Sequence, residues 1–217
     1  MKMNITILCS SKTHPVNETL CRWVEKNDGT HVVRLVRSKS ELHGGDILFL
    51  ISCSEIISAQ DREKFKKVLV IHASDLPKGR GWSPHIWEVV NGASEIAVSL
   101  LEAQDKVDSG DVWKKLWIDI PRHALYNEIN DLLFTAESQL MDFAVENFYT
   151  ITPQPQDPGA EPSYHPRRTP ADSELDPEKS IASQFDLLRV SDPERFPAFF
   201  KLHGHTYKLA VEKVDNE

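Results

Sequence analysis

Four short runs of apolar and β-branched residues, each bounded by polar stretches, stand out in the first third of the chain. They lie at residues 4–9, 31–36, 47–52 and 68–71. Runs of this length with little alternation between apolar and polar positions predict strands that are covered on both faces, as in a parallel sheet.

The segments between these runs carry helix signals. Apolar residues recur at helical spacing at Val16, Leu20, Trp23 and Val24. This spacing predicts an amphipathic helix. Ser58, with Asp61 three residues on, resembles a capping box and predicts a helix that continues through Lys67. Strands that alternate with helices predict an α/β fold, here a Rossmann-like, mostly parallel sheet with helices on both faces.

The next part of the chain predicts a short helix over residues 85–91, two strands at 95–103 and 111–120, and a long helix over 124–148. We expect one apolar face of the long helix to be buried. The residues on that face are Leu125, Ile129, Leu132, Ala136, Leu140 and Phe143.

Composition changes sharply after residue 150. Six prolines follow in close succession and predict a stiff, extended connector. Beyond it, residues 177–190 predict a helix, and residues 198–214 predict a hairpin that turns at residues 203–204. We therefore divide the chain into a main domain, residues 1–150, and a connector with a small C-terminal helix and hairpin extension, residues 151–217.

Composition and charge narrow the classes of partner. The chain has 217 residues and a net charge of −8, so we expect it to repel a nucleic acid such as tRNA. A local basic pocket could still hold a small phosphorylated ligand. Three cysteines without a C-x-x-C pair favour a reduced, cytoplasmic setting. The N-terminal run lacks the long apolar stretch of a signal peptide, and no run approaches membrane-spanning length, so no membrane partner is expected.

Polar residues collect where a ligand would bind. Ligands of open α/β sheets lie outside the carboxyl ends of the strands, and residues 52–57, 71–84 and 104–111 have that position. His72 and Asp108 fall in two of these segments and could form a general acid/base pair. Each has a plainer alternative, because a histidine at a strand end is often structural and an aspartate before Ser-Gly is often a turn former.

Other motifs of binding or catalysis are missing from the sequence. It contains no G-x-G-x-x-G, no P-loop and no G-x-S-x-G, so neither a dinucleotide fingerprint nor a hydrolase elbow is indicated. His203 and His205 could share one face of a strand. Two histidines without a third ligand are weak evidence for zinc, and we expect no metal.

A longer, ordered pattern resembles the folate-dependent formyltransferase family. The stretch IHASDLPKGRGWSPHIWEVVNG, with VDSGDVW further on, is similar to the family's Asn-x-His-x-Ser-x-Leu-Pro run, its Arg-Gly-x-x-Pro loop and its distant Asp-x-Gly. The matching residues are His72, Ser74, Leu76, Pro77, Arg80, Gly81, Pro84, Gly92, Asp108 and Gly110. The resemblance covers about residues 4–148 and implies that the main domain is a formyltransferase catalytic domain.

The resemblance implies an enzyme with 10-formyltetrahydrofolate as co-substrate. His72 would then stabilise the oxyanion or move a proton, and Asp108 would orient and charge-balance His72. The folate would lie against two loops, at Ser54, Glu55, Ile56, Ile57, Asp105 and Lys106. The acceptor would lie at Arg80, Gly81, Trp82, Ser83, Pro84 and His85. Plainer alternatives are a solvated charge for Arg80 and core packing for Trp82.

The segment after residue 150 is similar to the one that follows the catalytic domain in sugar N-formyltransferases, closest to the short enzymes associated with pseudaminic-acid-type sugars. Methionyl-tRNA formyltransferases carry a larger C-terminal barrel, for which we expect too few residues here. The implied acceptor is a small molecule, the amino group of a UDP- or dTDP-linked 4-amino-4,6-dideoxy sugar used for surface polysaccharide. Arg167 and Arg168 could meet its diphosphate or be solvated charges, and the apolar hairpin could form a homodimer surface.

One residue departs from the family pattern. Where the family has an asparagine two residues before the histidine, this chain has Val70. Loss of that amide donor would ordinarily cost a few kcal/mol of transition-state stabilisation. Another donor from residues 52–55 could substitute, the enzyme could be slow, or the chain could be an inactive folate or nucleotide-sugar binding protein. Formylation of a different amine is a further alternative.

Overall fold

A six-stranded sheet forms the centre of the computed structural model, which describes residues 1–214. In chain order the strands are β1 (Asn4–Leu8), β2 (Val32–Val36), β3 (Gly45–Leu50), β4 (Phe65–His72), β5 (Arg80–Gly81), β6 (Glu95–Glu102), β7 (Val112–Asp119), β8 (Tyr164–His165), β9 (Ala198–Leu202) and β10 (His205–Leu209). The α-helices are α1 (Val16–Asn27), α2 (Ala59–Arg62), α3 (Pro84–Val90), α4 (Tyr126–Glu146) and α5 (Ile181–Arg189).

The sheet has the order β2-β1-β3-β4-β6-β7. The first four strands of that order are parallel to one another, and β6 and β7 extend the sheet in antiparallel fashion. The prediction of a Rossmann-like, mostly parallel α/β sheet is therefore confirmed. The carboxyl ends of β1, β3 and β4 lie at one edge, which places the loops after them side by side.

Two apolar cores cover the two faces of the sheet. Helices α1 and α4 pack on one face, where Ile7, Phe49 and Leu69 are almost fully buried. The opposite face carries Leu48 and Val68 and is covered mainly by short elements, a 3-10 turn, α2 and the loop before it. Helices therefore lie on both faces, but the long helices lie on only one.

Two details of the predicted helices are wrong. Helix α2 ends at Arg62 and does not continue through Lys67, because Phe65 is buried and already pairs with β3. On α4, Leu132 is 36% exposed, and the buried stripe runs instead through Leu133 and Phe134. The rest of the predicted face is right, since Leu125, Ile129, Ala136 and Leu140 are buried and Phe143 is half-buried, and Leu132 lies about 100° around the helix from the buried Leu133.

A buried carboxylic acid lies in the helical core. Glu137 on α4 is 8% exposed, and its Oε2 atom has no hydrogen-bond partner among residues 1–214. Burial raises the pKa of this carboxyl from 4.5 to about 8. Since an unpaired ionised carboxylate is costly to bury, Glu137 is expected to be protonated at neutral pH.

The period-two alternation of β4 decides which residues face the candidate site. Leu69 and Ile71 point into the core under α1 and α4. The other face carries Val70, whose side chain packs beside Cys53 and Ala103 at the margin of the second core. His72 follows two residues later, so it lies on the same face as Val70.

The connector after residue 150 is bonded to the main domain along its length. Gln154 forms a backbone bridge with Val112, with N–O distances of 2.7 and 2.9 Å. Ten residues later β8 pairs in parallel with β5. The extended conformation that the prolines predict is therefore held in place by the loop that follows β4.

The tail consists of a helix and a hairpin that pack on the main domain, where Arg189 of α5 donates to the carbonyl oxygens of Pro121 and Ala124. Ser180 caps α5 through its side chain, and β9 and β10 form the predicted hairpin. The turn is formed by His203 and Gly204, which have φ angles of 50° and 81°. Helix and hairpin share an apolar cluster centred on Leu175, Leu188 and Ala198. No helix within residues 1–214 has the length and apolar character needed to cross a membrane.

Candidate active site

His72 and Asp108 meet at the carboxyl edge of the sheet. The Nδ1 atom of His72 lies 3.7 Å from Oδ1 of Asp108, and both side chains are almost fully buried. The other ring nitrogen, Nε2, lies 2.8 Å from the carbonyl oxygen of Gly79. A carbonyl oxygen only accepts hydrogen bonds, so Nε2 carries a proton and Nδ1 is the atom directed at the carboxylate.

The loop that carries Asp108 has a constrained backbone. Asp108 has a φ of 53°, and its Oδ2 accepts a hydrogen bond of 3.0 Å from the N–H of Gly81. Two residues on, a Cβ at Gly110 would lie 1.8 Å from the carbonyl oxygen of Glu102. Only glycine fits at that position, which explains physically why the Asp-Ser-Gly sequence is needed here.

A residue of the connector fastens this loop. The side-chain amide of Gln156 donates to the carbonyl oxygens of Asp108 and Gly110, at 2.9 and 3.0 Å. Its Oε1 accepts from Nη2 of Arg80 at 2.6 Å. Gln156 thereby joins the aspartate loop to the loop after β4, and the sequence analysis missed it.

Arg80 and Gly81 occupy a position between β4 and the connector. Arg80 is 6% exposed, and its guanidinium bonds Gln156 and the hydroxyl of Tyr164. Gly81 has a φ of 100°, and a Cβ there would lie 2.5 Å from the carbonyl oxygen of His165. Both terminal nitrogens of the guanidinium have protein partners, whereas the buried Nε has none within residues 1–214, and the predicted contact with an acceptor stays a prediction.

The other acceptor-loop residues fall into an exposed and a buried set. Trp82 is 43% exposed, with the Arg167 guanidinium 4.9 Å above its ring, so Trp82 is not a core residue. Ser83 is exposed and has a φ of 45° at the start of α3. Pro84 is buried at the first position of the helix, and His85 follows it half-buried.

The first predicted folate loop crosses from the carboxyl end of β3 to the start of α2. Ser54 is exposed, and its N–H donates to the hydroxyl of Ser10 at 2.9 Å. Ile56 is 80% exposed, whereas the side chain of Ile57 is 7% exposed and packs in the second core. Glu55 accepts a hydrogen bond from the backbone N–H of a residue in the 3-10 turn. A ligand here would therefore meet backbone groups and the Ile56 side chain.

The second predicted folate loop is tied to the first. Arg62 at the end of α2 donates to the carboxylate of Asp105 and, at 2.8 Å, to the carbonyl oxygen of Ile57. Lys106 is exposed, and its carbonyl oxygen accepts from Ser109. Both loops flank the β4 face that carries Val70, so the structure brings the predicted folate residues together, and their role stays a prediction.

A second group that the sequence analysis missed is His14, in the loop after β1. Its Nδ1 accepts from the N–H of Val16 at 3.2 Å, and its Nε2 lies 3.3 Å from the hydroxyl of Ser52. Burial and the positive charge of Arg195 lower the pKa of His14 to about 4. Ligands of open α/β sheets bind at the carboxyl ends of the strands, and the loop after β1 lies at such an end, so the same reasoning would have identified His14.

Val70 lies where the family pattern has an asparagine, and its surroundings are apolar. It pairs with Leu50 of β3 and packs beside Cys53 and Ala103. No side-chain amide from residues 1–214 takes its place next to His72 in the hydrogen-bond network described above. A substitute donor from residues 52–55 stays a prediction.

The structure offers no metal centre in residues 1–214, because no group of three or more His, Cys, Asp or Glu side chains is arranged to hold an ion. A mostly parallel sheet with a histidine and an aspartate joined at the strand ends is typical of α/β enzymes whose substrates bind at that edge.

Comparison with known proteins gives the family. The model of the formyl transferase family matches residues 34–145, just over half of the 217 residues. The chain belongs to the formyl transferase family. It is 25% identical over 174 residues to a methionyl-tRNA formyltransferase from Protochlamydia amoebophila, covering 78% of this chain and 54% of that protein. It is 31% identical over 156 residues to the Natranaerobius thermophilus enzyme of that name, covering 69% and 48%. The chain thus spans about half the length of these relatives.

Three solved structures share the fold. Methionyl-tRNA formyltransferase from Clostridium thermocellum superposes with a TM-score of 0.81 at 22% identity, covering 98% of this chain and 94% of that one. HypX from Aquifex aeolicus in complex with tetrahydrofolic acid gives 0.78 at 21% identity, with 97% and 38% covered. A sugar N-formyltransferase from a Shewanella species gives 0.71 at 15% identity, with 98% and 99% covered. At these identities the likeness is one of fold.

Proposed function

We propose that this protein is an N-formyltransferase that moves a formyl group from 10-formyltetrahydrofolate to the amino group of a nucleotide-linked amino sugar. The observation that carries the proposal is the buried pair of His72 and Asp108 at the strand ends of a chain from the formyl transferase family. The likeness in fold to HypX with bound tetrahydrofolic acid supports a folate co-substrate.

The acceptor class rests on two further observations. The fold is similar over 98% of the chain to a sugar N-formyltransferase that is itself covered to 99%. The net charge of −8 disfavours a polyanionic acceptor, although the relatives identified by sequence, and the Clostridium thermocellum structure with a TM-score of 0.81, are methionyl-tRNA formyltransferases. Methionyl-tRNA is therefore the acceptor against which the sugar assignment must be tested.

The residues divide the chemistry between them. Attack of a neutral amine on the formyl carbon forms a new C–N bond and places negative charge on the formyl oxygen. Collapse of this intermediate breaks the bond to the folate nitrogen, which takes up a proton and leaves as tetrahydrofolate, while the attacking nitrogen loses a proton. His72 is the group that can donate to that oxygen or carry that proton, once Nε2 exchanges its bond to the Gly79 carbonyl for one to substrate. Asp108, held by the Gly81 N–H, lies 3.7 Å from Nδ1, where its carboxylate can balance the charge of an imidazolium that forms when Nδ1 is also protonated.

Activity is tested by mass spectrometry of the purified protein with 10-formyltetrahydrofolate and three kinds of acceptor: UDP- or dTDP-linked 4-amino sugars, free amino acids and methionyl-tRNA. We expect a product 28 mass units heavier, the mass of a formyl group replacing hydrogen, from a sugar only. His72→Gln and Asp108→Asn should each lower kcat by about 100-fold or more. His43→Gln, a change at an exposed histidine, is the matched control and should leave kcat unchanged.

A second candidate function, ligand binding without catalysis, is favoured only by Val70. Because this position lacks the amide of the family pattern and packs among apolar groups, the chain could bind folate or a nucleotide sugar without turnover. Binding of both ligands with no formylated product from any of the three acceptors would support this second candidate. Product formation that survives His72→Gln would show that the roles of the residues are assigned wrongly.

A further inference from the structure

The carbonyl oxygen of Gly79 holds the His72 ring, and the backbone around Gly79 is tightly packed. Gly79 is buried and has a φ of 70°. A Cβ at this position would lie 2.8 Å from the Cβ of Ser74, so the loop after β4 folds closely over the end of the strand. The orientation of the peptide group that follows Gly79 decides whether its carbonyl oxygen reaches Nε2 of His72, as it does here at 2.8 Å.

Ser163 of the connector forms hydrogen bonds on both sides of Gly79. Its hydroxyl accepts a bond of 2.9 Å from the N–H of Gly79, and its carbonyl oxygen accepts one of 2.9 Å from the N–H of Arg80. The N–H of Arg80 and the C=O of Gly79 belong to one planar trans peptide group, so they point in opposite directions. Because the N–H is fixed on Ser163, the carbonyl oxygen is directed away from the connector and towards the His72 ring.

This orientation matters because the His72 ring has two competing acceptors. A neutral imidazole carries one proton, either on Nε2 for the Gly79 carbonyl or on Nδ1 for the Asp108 carboxylate. A hydrogen bond to an ionised carboxylate is ordinarily the stronger of the two. Here the carbonyl oxygen lies at 2.8 Å and the carboxylate oxygen at 3.7 Å, so the geometry favours a proton on Nε2. A displaced carbonyl would lose that advantage to Asp108.

We propose that Ser163 is a positioning residue, which keeps the proton of His72 on Nε2 by fixing the peptide group between Gly79 and Arg80; this inference rests on the proposed function. In the proposed reaction the Nε2–H group donates a hydrogen bond to the formyl oxygen while negative charge develops there. With the proton on Nδ1, Nε2 would present a lone pair to that oxygen and would repel the charge. Ser163 thus acts on the reaction through the Gly79 carbonyl.

The competing explanation is that Ser163 only fastens the connector. Backbone pairing already does this, since the N–H of Arg80 bonds the carbonyl oxygen of Ser163 and the N–H of Trp82 bonds that of His165 at 3.2 Å. Ser163 is also exposed, so loss of its hydroxyl should change stability little. Ser163→Ala therefore removes the side-chain bond to Gly79 and leaves the pairing of β5 with β8 in place.

The test is the tautomer of His72, observed by nuclear magnetic resonance. Long-range proton–nitrogen correlation spectra of the ligand-free protein report which ring nitrogen carries the proton, in a pH series carried up to the neutral ring, and His72→Gln assigns the signal. The variants are Ser163→Ala and Ser163→Thr, which keeps the hydroxyl. Ser180→Ala is the matched control, because the Ser180 hydroxyl accepts a comparable bond from the N–H of Ser183 in the tail.

We expect the unmodified protein to carry the proton on Nε2. Ser163→Ala should shift the ratio of the two tautomers about fivefold towards Nδ1, which is the effect of losing one hydrogen bond. Ser163→Thr and Ser180→Ala should keep the original ratio. With a formylated acceptor, Ser163→Ala should lower kcat about threefold or more and change the KM of the acceptor less than about twofold, because the loss affects the transition state and not the binding of the acceptor.

The outcomes separate this inference from the proposed reaction. An unchanged tautomer ratio in Ser163→Ala, or an equal shift in Ser163→Thr or Ser180→Ala, would overturn the role of Ser163. A proton on Nδ1 in the unmodified protein, or a raised KM with an unchanged kcat, would overturn it as well. The tautomer is measured without substrate. A chain that shows the shift and formylates no acceptor would therefore refute the proposed reaction and leave the control of His72 by Ser163 standing.

Discussion

Replacement of Glu137 by glutamine should stabilise the protein at neutral and alkaline pH. In the folded chain the pKa of this carboxyl is raised by burial to about 8, whereas an unfolded chain has the ordinary value of 4.5. Below pH 4.5 both states hold the proton and Glu137 contributes no pH dependence. As pH rises from 4.5 to about 8, the unfolded state releases its proton and the folded state does not, so stability falls.

The magnitude follows from the size of that interval. Each pH unit between the two pKa values costs about 1.4 kcal/mol, so the loss approaches about 5 kcal/mol above pH 8. Glutamine keeps the shape of the side chain and removes the ionisation. We therefore expect Glu137→Gln to match the unmodified protein near pH 4.5 and to exceed it in unfolding free energy by several kcal/mol near pH 8.

Urea denaturation followed by circular dichroism at pH 4.5, 6, 7 and 8 measures the difference between the two proteins. Other titrating groups contribute equally to both and cancel in the comparison. Glu146→Gln is the control, since Glu146 lies on the same helix but is exposed, and it should shift stability little and without pH dependence. Parallel stability curves for Glu137→Gln and the unmodified protein would refute the reasoning, because they would mean that Glu137 is ionised in the folded state.

Three further changes probe the loops around His72. Gln156→Ala removes three hydrogen bonds and should lower the free energy of unfolding by roughly 2–4 kcal/mol and abolish most of the activity. Gln154→Ala is the control and should lower stability little, because the bridge at Gln154 is made by backbone atoms. Similar shifts in melting temperature for the two variants would contradict this prediction. Gly81→Ala places a Cβ 2.5 Å from the His165 carbonyl at a φ of 100°, so the melting temperature should drop by several degrees, and an unchanged value would show that the loop is free to move. Val70→Asn restores the amide of the family pattern and should raise kcat about tenfold or more; a lower kcat in a folded variant would mean that another donor already acts there.

The sequence predicts the sheet well because its strands are encoded locally. The runs at residues 4–9 and 68–71 are apolar enough to specify buried strands without any knowledge of their partners, and the structure has β1 and β4 there. The helix through Lys67 was wrong for the opposite reason. The cap at Ser58 is a local signal and is present, but the pairing of Phe65 with β3 is a long-range contact that overrides helix propensity.

The candidate site likewise combines residues that the sequence could locate with residues that depend on long-range contacts. His72 and Asp108 could be placed at neighbouring loops from topology alone, and they lie 3.7 Å apart in the structure. Gln156 could not be found in this way, because its partner Asp108 is 48 residues distant and a Pro-rich composition does not indicate where a connector docks. The buried state of Arg168 was equally hidden, since two adjacent arginines in sequence have no signal that one of them lies inside.

The pairing of β8 with β5 also bears on how this chain can be cut and recombined. A break at residue 150 looks safe from composition, yet residues 154–165 contribute the bonds that hold the aspartate loop and the Gly81 backbone. A chimera that exchanges tails with a relative should therefore take residues 151–168 from the same parent as the main domain. A fragment that ends at residue 150 should keep its central sheet and lose its catalytic activity. The main domain and the connector are thus one working unit.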